Sequence, residues 1–440
     1  VAQDVSAATQ VVPLSRSGRW AVALAAVGGL LFDGVELGMM PIASLSVTRS
    51  LLGDAYTPSR GGDWFAWLTA SLMLGAAIGG IVLGRLGDQR GRVQALGVSI
   101  LTYSVFAGLG AFVESLPQLL ALRFLVGLGV GGVWPNAVAL VAECWPNTSR
   151  PVLAGLMGMA INSGILLLSQ VARWQPITPD SWRWLFGWCA LPAALGVAVL
   201  LFLPESPLWN LARAAAASGD KTPTPASPLR ELFRPPLLRI TLIGMLIGSI
   251  PLIGAWAASK WMIPWADAVA GSSNPGYKAA AQGWWALGAA IGSFLGSQIA
   301  GLIGRRWSYF LISLASTGLT GGLFLLTLLL AEKCLTVGFI LCFVATLFFG
   351  WLPLYLPELF PTRVRATGSG LAYNSGRFAT AIGVLASGTL VAAFGGDFSK
   401  VGATMGLIYA LGMIVIWLAP ETSGADLSRT NTDTITQAST

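Results

Sequence analysis

Long apolar segments, separated by short polar connections, run along almost the whole of this sequence. A run of about 18 or more apolar residues is long enough to cross the hydrocarbon core of a bilayer as a helix. Backbone groups in lipid must be hydrogen bonded within the protein, which favours helices for runs of this length. We count twelve such runs, and only 10% of the residues are charged, against about 25% in soluble proteins. The sequence therefore predicts an all-α membrane protein with twelve transmembrane helices.

The longest polar connection lies between the sixth and seventh apolar runs and divides the chain into two halves of six helices each. The second half weakly repeats the first, which predicts two pseudo-symmetric six-helix bundles around a central site. The predicted organisation is an N-terminal tail at 1–19, an N-terminal bundle at 20–203, a linker at 204–237, a C-terminal bundle at 238–420 and a C-terminal tail at 421–440.

Lysine and arginine are more than twice as frequent in the loops and tails on the side of the termini as on the opposite side. The positive-inside rule therefore predicts that both termini lie in the cytoplasm and that the protein resides in the inner membrane. The net charge of +7 is explained by this topology and does not indicate binding to nucleic acid. The expected partners are lipid, protons and a small-molecule substrate, with the protein acting as a monomer.

The sequence offers no group of residues suited to an enzyme, a metal site or a cofactor site. It contains no histidine, and its four cysteines lack metal-binding spacing. There is no phosphate-binding loop and no histidine-based nucleophile–base pair. We therefore expect no metal, no cofactor and no enzymatic activity.

Charged residues inside the apolar runs are costly and are therefore functional candidates. Asp33 and Glu36 are three residues apart in the first run, which predicts a shared helix face. Counted from the cytoplasmic end they lie roughly 20 and 24 Å deep at 1.5 Å per residue. Arg123 lies about 9 Å from the outer end of the fourth run, which is about 21 Å from the cytoplasmic side of a core of about 30 Å. An ion pair between the first and fourth helices is therefore expected.

Burial favours the protonated form of a carboxyl group, whereas a neighbouring guanidinium favours the ionised form. A carboxylate with such a partner can exchange it for a proton. We therefore predict that Glu36 carries a coupling proton, that Asp33 assists, and that Arg123 is the charge that releases the proton. The alternative is a permanent structural ion pair.

Arg377 lies about twelve residues into the eleventh run, with no acidic residue within a helical turn. Either Asp33 and Glu36 pair with it across a cavity, or an anionic substrate completes the site. Weaker substrate-binding candidates at similar depth are Asn374, Asn162 and Trp256, of which the asparagines are often only interhelical contacts. Lys260 is close to the expected end of the seventh span at residue 264, and we expect it to extend to the membrane interface.

The segment Gly84-Arg85-Leu86-Gly87-Asp88-Gln89-Arg90-Gly91-Arg92-Val93 resembles the loop between helices two and three of the major facilitator superfamily. Pro204-Glu205-Ser206-Pro207-Leu208-Trp209, Pro420-Glu421-Thr422 and the segment from Pro357 to Gly368 are similar to further motifs of that superfamily. The resemblance implies a cytoplasmic gate of charged residues, namely Asp88, Arg85, Arg92, Glu143, Arg150, Glu205, Glu358, Arg363 and Arg365. In the second half Gly301-Leu302-Ile303-Gly304-Arg305-Arg306 lacks the aspartate, so we expect a degenerate copy there.

Asp33-Gly34-Val35-Glu36 is similar to the D-G-x-D motif of aromatic-acid/proton symporters, while sugar porters share the motifs after helices six and twelve. The seventh run has no glutamine pair of the kind found in sugar porters. The resemblance implies a secondary active transporter that moves a small organic anion, a carboxylate, by alternating access coupled to protons. The alternatives are a sugar or polyol transporter, an organic-cation or drug transporter, and a receptor-like binding protein.

Overall fold

The computed structural model of the chain describes residues 14–145, 149–217, 228–270, 273–326, 332–361 and 364–422. These residues form twelve helices long and apolar enough to cross a membrane, and contain no strand. The helices, numbered α1 to α12 in order, are Arg16–Ala55, Pro58–Arg90, Arg92–Phe112, Leu116–Cys144, Val152–Trp174, Arg183–Phe202, Leu237–Ala268, Tyr277–Ile303, Arg305–Leu325, Cys334–Glu358, Thr367–Ala393 and Phe398–Leu418. The predicted all-α fold with twelve membrane helices is confirmed. The face that holds the described ends Leu14 and Thr422 is called the terminal face below.

Helices α1 to α6 and α7 to α12 form two halves with matching internal packing. In the first half, α2 and α4 approach so closely that a methyl group on Gly131 would lie 2.1 Å from the carbonyl oxygen of Ala76. In the second half α8 and α10 approach in the same way, and a methyl group on Gly292 would lie 2.1 Å from the carbonyl oxygen of Phe343. Gly131 and Gly292 thus permit close helix packing in the two halves.

Two helix pairs provide most of the packing between the halves: α2 against α11, and α5 against α8. Exchanging the halves converts one pair into the other, because α2 corresponds to α8 and α5 to α11. The same pseudo-symmetry places α1, α4, α7 and α10 around the space that remains between the halves, where a central site can form.

Helices α1 and α5 pack through their backbones at the position of the Asp33-Gly34-Val35-Glu36 motif. A methyl group on Gly34 would lie 1.8 Å from the carbonyl oxygen of Ile161, and one on Gly164 would lie 1.8 Å from that of Leu31. Only glycine permits this approach. The glycine of the motif therefore fixes the depth and rotation of the two acidic residues beside it.

Helix α7 is irregular in its second half because Pro251 interrupts its hydrogen bonds. Proline has no N–H to donate to the carbonyl oxygen of Ile247, four residues earlier. The hydroxyl of Tyr309 on α9 donates to this oxygen instead, at 2.9 Å. A π-helical turn follows at Gly254–Ala258, before the helix resumes and continues to Ala268. Such turns are frequent at functional sites, and this one carries Trp256.

Candidate functional site

A central cavity of about 110 Å³ lies between the two halves. Its walls are mostly apolar and aromatic, and both halves contribute to them. Charged, polar and aromatic side chains on this wall are Asp33, Trp134 and Asn162 from the first half, and Trp256, Lys260, Trp285, Ser293, Thr346, Phe349, Tyr373 and Arg377 from the second. A concave, largely apolar site with a few polar groups is the usual form of a small-molecule binding site.

Lys260 lines this cavity and is only 1% exposed, so the prediction that it extends to the membrane interface is wrong. Helix α7 ends at Ala268 rather than at residue 264, which places Lys260 about 12 Å inside the helix at 1.5 Å per residue. Its ammonium nitrogen lies 3.7 Å from the ring centre of Trp285 and 5.3 Å from that of Trp256. Within the described chain this nitrogen has no hydrogen-bond partner.

Arg377 also lines the cavity and contacts the opposite half. Its Nη1 donates to the carbonyl oxygen of Ala76 on α2 at 2.9 Å, and its guanidinium carbon lies 5.5 Å from the ring centre of Tyr373. Asp33 lines the same cavity, but no described ion pair joins it to Arg377. The wall therefore carries two cationic side chains and a single carboxyl group.

The neutral candidates occupy different surroundings. Trp256 and Asn162 line the cavity, and the side-chain amide of Asn162 donates to the hydroxyl of Ser293 at 3.0 Å across the two halves. Asn374 does not line it: its amide nitrogen donates to the carbonyl oxygen of Gly370 at 3.0 Å, and its oxygen faces α2 beside Gly80. Its rotational position on α11 directs the side chain to the neighbouring helix α2 rather than to the cavity.

Glu36 and Arg123 form an ion pair between α1 and α4, and each side chain is 1% exposed. Nη1 of Arg123 lies 3.2 Å from Oε2 of Glu36, and its Nη2 donates to the Glu36 carbonyl oxygen at 3.4 Å. The other carboxylate oxygen, Oε1, is buried without a hydrogen-bond partner among the described residues. The depths estimated from the sequence thus correspond to a contact in the structure.

Asp33 and Glu36 do not point in the same direction, although they are three residues apart. Asp33 lines the cavity and is 2% exposed, whereas Glu36 faces Arg123 within the first half. Oδ1 of Asp33 has no partner in the described structure. The two carboxyl groups therefore occupy distinct environments: one facing the cavity, the other in a buried ion pair behind it.

On the terminal face of the first half, charged residues from three motifs form the N-half cluster, which comprises Asp88, Arg92, Glu143, Glu205 and Ser206. Arg92 contacts Asp88 and lies 3.3 Å from Glu143, which also accepts a hydrogen bond from the Ser206 hydroxyl. The carboxylate of Glu205 accepts from the backbone N–H groups of Arg92 and Val93, at 3.0 and 3.1 Å. A carboxylate at the start of α3 complements the partial positive charge of the helix.

The second half carries an equivalent C-half cluster, formed by Arg305, Glu358, Glu421 and Thr422. Arg305 donates to both carboxylate oxygens of Glu358, at 2.9 and 3.1 Å, and Thr422 donates to the same carboxylate. Glu421 accepts from the backbone N–H groups of Arg305 and Arg306, both at 3.0 Å. The copy lacks an equivalent of Asp88, as expected, but it retains the ion pair of Arg305 with Glu358 and the contact of Glu421 with the start of α9.

A glycine precedes α3 and α9 for the same reason in each half. Gly91 and Gly304 have φ angles of +117° and +87°, which favour glycine. A methyl group on Gly91 would also lie 2.1 Å from Oε2 of Glu205. These glycines let the chain turn so that the first amide groups of the helix face the carboxylate of Glu205 or Glu421.

The other predicted gate residues do not join these clusters as far as the structure describes them. Arg85 is exposed and forms no ion pair with any residue in the described ranges. Nε of Arg365 donates to the carbonyl oxygen of Phe360 at 3.2 Å. The Arg150 side chain and the whole of Arg363 lie outside the described residues.

A buried polar group on the face opposite the termini was missed by sequence reasoning. Nζ of Lys278 on α8 lies 3.1 Å from Oδ1 of Asp267 on α7 and donates to the hydroxyl of Ser46 on α1 at 3.0 Å. The Lys278 and Asp267 side chains are only 4% and 5% exposed. Lys278 lies in the first turn of α8, at the edge of an apolar run, where the sequence does not distinguish a buried lysine from a loop residue.

The comparisons with known proteins agree with this architecture. A sequence model described as Major Facilitator Superfamily matches residues 25–371. The chain is 28% identical over 402 residues to the cis,cis-muconate transport protein of Acinetobacter baylyi, covering 89% of this chain and 92% of the relative. It is 27% identical over 432 residues to the inner membrane metabolite transport protein YgcS of Escherichia coli, covering 92% of both.

Among solved structures, the partially occluded inward open conformation of the xylose transporter XylE from E. coli is similar to the chain with a TM-score of 0.74 and 19% identity. This likeness covers 93% of the chain and 100% of XylE, and at this identity it supports the fold alone. The chain therefore belongs to the Major Facilitator Superfamily and is a membrane transporter rather than an enzyme.

Proposed function

We propose that this protein moves a small organic anion, a carboxylate, across the inner membrane by alternating access coupled to protons, with both termini in the cytoplasm. The observation that carries the proposal is the central cavity, whose wall holds Lys260 and Arg377 but only one carboxyl group, that of Asp33. A cavity with excess positive charge favours an anionic ligand. The relative from A. baylyi is named for muconate, which is a carboxylate.

The aromatic wall supports a carboxylate with an unsaturated or aromatic skeleton. The indole rings of Trp256 and Trp285 lie beside Lys260, and Tyr373 lies beside Arg377. Flat, apolar surfaces next to a cationic group are suited to a planar organic acid. Two cationic side chains favour an anion over a sugar, which carries no charge, and they would repel an organic cation.

Proton coupling is assigned to the buried carboxyl groups of α1. Glu36 can release Arg123 when it takes up a proton, since protonation removes the charge that holds the ion pair together. Asp33 is placed to exchange a proton with the cavity itself, because it lines the wall. The cavity is built from helices of one chain, so a monomer can perform the whole cycle.

The test is uptake of a panel of carboxylates, sugars and quaternary amines into proteoliposomes under an imposed pH gradient. We expect accumulation of a carboxylate that depends on the gradient. Glu36→Gln should abolish gradient-driven accumulation while retaining exchange of labelled for unlabelled substrate, because substrate binding does not require the coupling proton. Glu114→Gln, which alters an exposed carboxylate, is the matched control.

Arg377→Ala tests the substrate site in the same assay. Loss of a charged hydrogen-bonding group should weaken carboxylate affinity about tenfold or more. Undiminished gradient-driven accumulation in the Glu36 variant would exclude Glu36 as the proton carrier, and unchanged affinity in the Arg377 variant would exclude that arginine from the site. Binding without exchange in the wild-type protein would favour a receptor-like function.

A further inference from the structure

Lys260 carries a buried amino group that has no anionic partner among the residues that the structure describes. The side chain is 1% exposed and lines the central cavity. Its nitrogen has no hydrogen-bond acceptor among the described residues, although an ammonium group has three N–H donors. The faces of Trp285 and Trp256 provide cation–π attraction, but they satisfy none of these donors in the manner of an oxygen. A buried lysine at membrane depth without an acceptor is costly unless a ligand supplies one.

Arg377 is a second cation on the same wall, and it is only partly satisfied within the protein. Its recorded hydrogen bond is from Nη1 to the carbonyl oxygen of Ala76, which carries no formal charge. A guanidinium has five N–H donors in a planar fork that matches a carboxylate. Lys260 on α7 and Arg377 on α11 therefore provide two anion-binding groups in one cavity, each beside an aromatic ring.

The charges of the occupied cavity support a substrate with two negative charges. In the proposed cycle Asp33 takes up a proton, and Lys260 and Arg377 in their charged forms then require two negative charges for neutrality. A dicarboxylate supplies both, whereas a monocarboxylate leaves one cation buried and unpaired, which is unfavourable. We propose that the substrate is a dicarboxylate with a flat, unsaturated or aromatic skeleton, with one carboxylate bound at Arg377 and the other at Lys260.

This inference rests on the proposed transport of organic anions and narrows it to a substrate class. It assigns Lys260 as a specificity-determining residue that distinguishes dicarboxylates from monocarboxylates. It predicts that the second carboxylate of the substrate increases the binding affinity only when the Lys260 side chain is present. Likewise, Lys260 should increase the affinity only for a substrate that has this second carboxylate.

The experiment compares pairs of acids in which one carboxylate is replaced by a methyl group. Suitable pairs are trans,trans-muconate with trans,trans-2,4-hexadienoate, and terephthalate with 4-methylbenzoate. Binding of each acid to the purified full chain is measured by calorimetry for the wild-type protein and for Lys260→Met, Lys260→Arg and Lys400→Met. Lys400, whose side chain is 61% exposed, is the matched lysine outside the cavity.

In the wild-type protein and in Lys400→Met, we expect the diacid of a pair to bind about tenfold or more tightly than its methyl analogue, as for a charged hydrogen bond. Lys260→Met should remove this preference by weakening the diacid alone, and Lys260→Arg should restore it. Equal binding of both acids by the wild-type protein, or equal weakening of both in Lys260→Met, would overturn the proposal.

The two proposals fail in different ways. If the methyl analogues bind and the diacids do not, the protein still takes organic anions and only the dicarboxylate assignment is wrong. If neither acid of either pair binds the wild-type protein, the organic-anion function itself fails, and with it the inference about Lys260. If Lys260→Met does not fold, the proposal is tested by the ratio of diacid to monoacid affinity in the wild-type protein and in Lys260→Arg. A preference for the diacid in both supports the proposal, and equal affinities contradict it.

Discussion

Replacement of Arg123 by methionine tests whether the buried ion pair holds Glu36 in its charged form. Arg123 and Glu36 are each 1% exposed, so neither group can be solvated by bulk water in this state. Removing one partner of a buried pair leaves the other charge uncompensated and typically lowers the free energy of unfolding by about 3–5 kcal/mol. Methionine preserves much of the aliphatic volume of arginine, so little of the loss should come from a cavity.

The double variant Arg123→Met/Glu36→Gln separates the charge from the packing. Once both charges are absent, neither of these two positions holds a buried ion, and we expect the double variant to recover most of the stability lost by Arg123→Met. The difference between the double variant and the sum of the single variants measures the interaction of the two groups. Arg173→Met, at an exposed arginine of α5, is the matched control and should change stability by no more than about 0.5 kcal/mol.

The measurement is unfolding of the purified protein in mixed micelles by increasing SDS, followed by tryptophan fluorescence. Proton-driven accumulation in proteoliposomes is measured alongside it. We expect Arg123→Met to lose gradient-driven accumulation, since Glu36 no longer has a partner to exchange for a proton. The reasoning would be refuted if Arg123→Met were as stable as Arg173→Met, or if the double variant were no more stable than Arg123→Met.

Two further substitutions test the close packing of α1 against α5 and the buried ion pair between Asp267 and Lys278. Gly34→Ala should lower stability by about 1–3 kcal/mol and abolish transport, because the new methyl group would lie 1.8 Å from a backbone oxygen of α5; Gly318→Ala, with open space around it, should change the same SDS midpoint little. Asp267→Asn should destabilise the protein by about 3 kcal/mol because Lys278 loses its buried anionic partner. Asp397→Asn, at a partly exposed ion pair, should cost less than about 1 kcal/mol, and equal losses at the two aspartates would contradict the argument.

The fold was predictable from the sequence because the membrane restricts the chain to a few solutions. Apolar runs of sufficient length had to become helices, and the long polar connection marked the division into halves. The contact between Glu36 and Arg123 was also predictable, since two buried charges of opposite sign at equal depth are each other's best available partner. Depth is set by residue counts along regular helices, and α1 and α4 are sufficiently regular for this count to hold.

Other parts of the site were not accessible to this reasoning. The misplacement of Lys260 arose because the end of α7 was placed at residue 264, and a lysine near a presumed helix end can equally extend to the interface. The direction of the Asn374 side chain was not predictable for a different reason. The depth of a residue along a helix does not determine which neighbouring helix its side chain faces. The internal repeat could also have predicted the C-half cluster. Glu205 and Glu421 occupy equivalent positions in the two halves, and their carboxylates accept hydrogen bonds from the first N–H groups of the equivalent helices α3 and α9.

The distribution of contacts between the halves indicates how binding can act on the whole molecule. Among the described residues, cross-half hydrogen bonds run from Asn162 to Ser293 and from Arg377 to Ala76 beside the central cavity, and from Lys278 to Ser46 towards the face opposite the termini. The ion pairs of the N-half and C-half clusters, in contrast, stay within their own half. The described hydrogen bonds between the halves therefore lie beside the cavity and on the side away from the terminal face, whereas the two clusters contain none.

In the proposed alternating-access cycle, opening of the opposite face would break the contact of Lys278 with Ser46 and close the terminal face, where the two clusters lie. A substrate shifts this equilibrium only through different affinities for the two states. The central cavity allows such a difference, because the proposed anion would be held by two cations of the second half while Asp33 contributes from the first. Protonation of Asp33 removes the one charge that opposes the anion, so the proton and the substrate would favour the same neutral, loaded cavity. In this proposal the coupling of proton and substrate arises from the charge balance of the cavity, without a separate pathway between the two ligands.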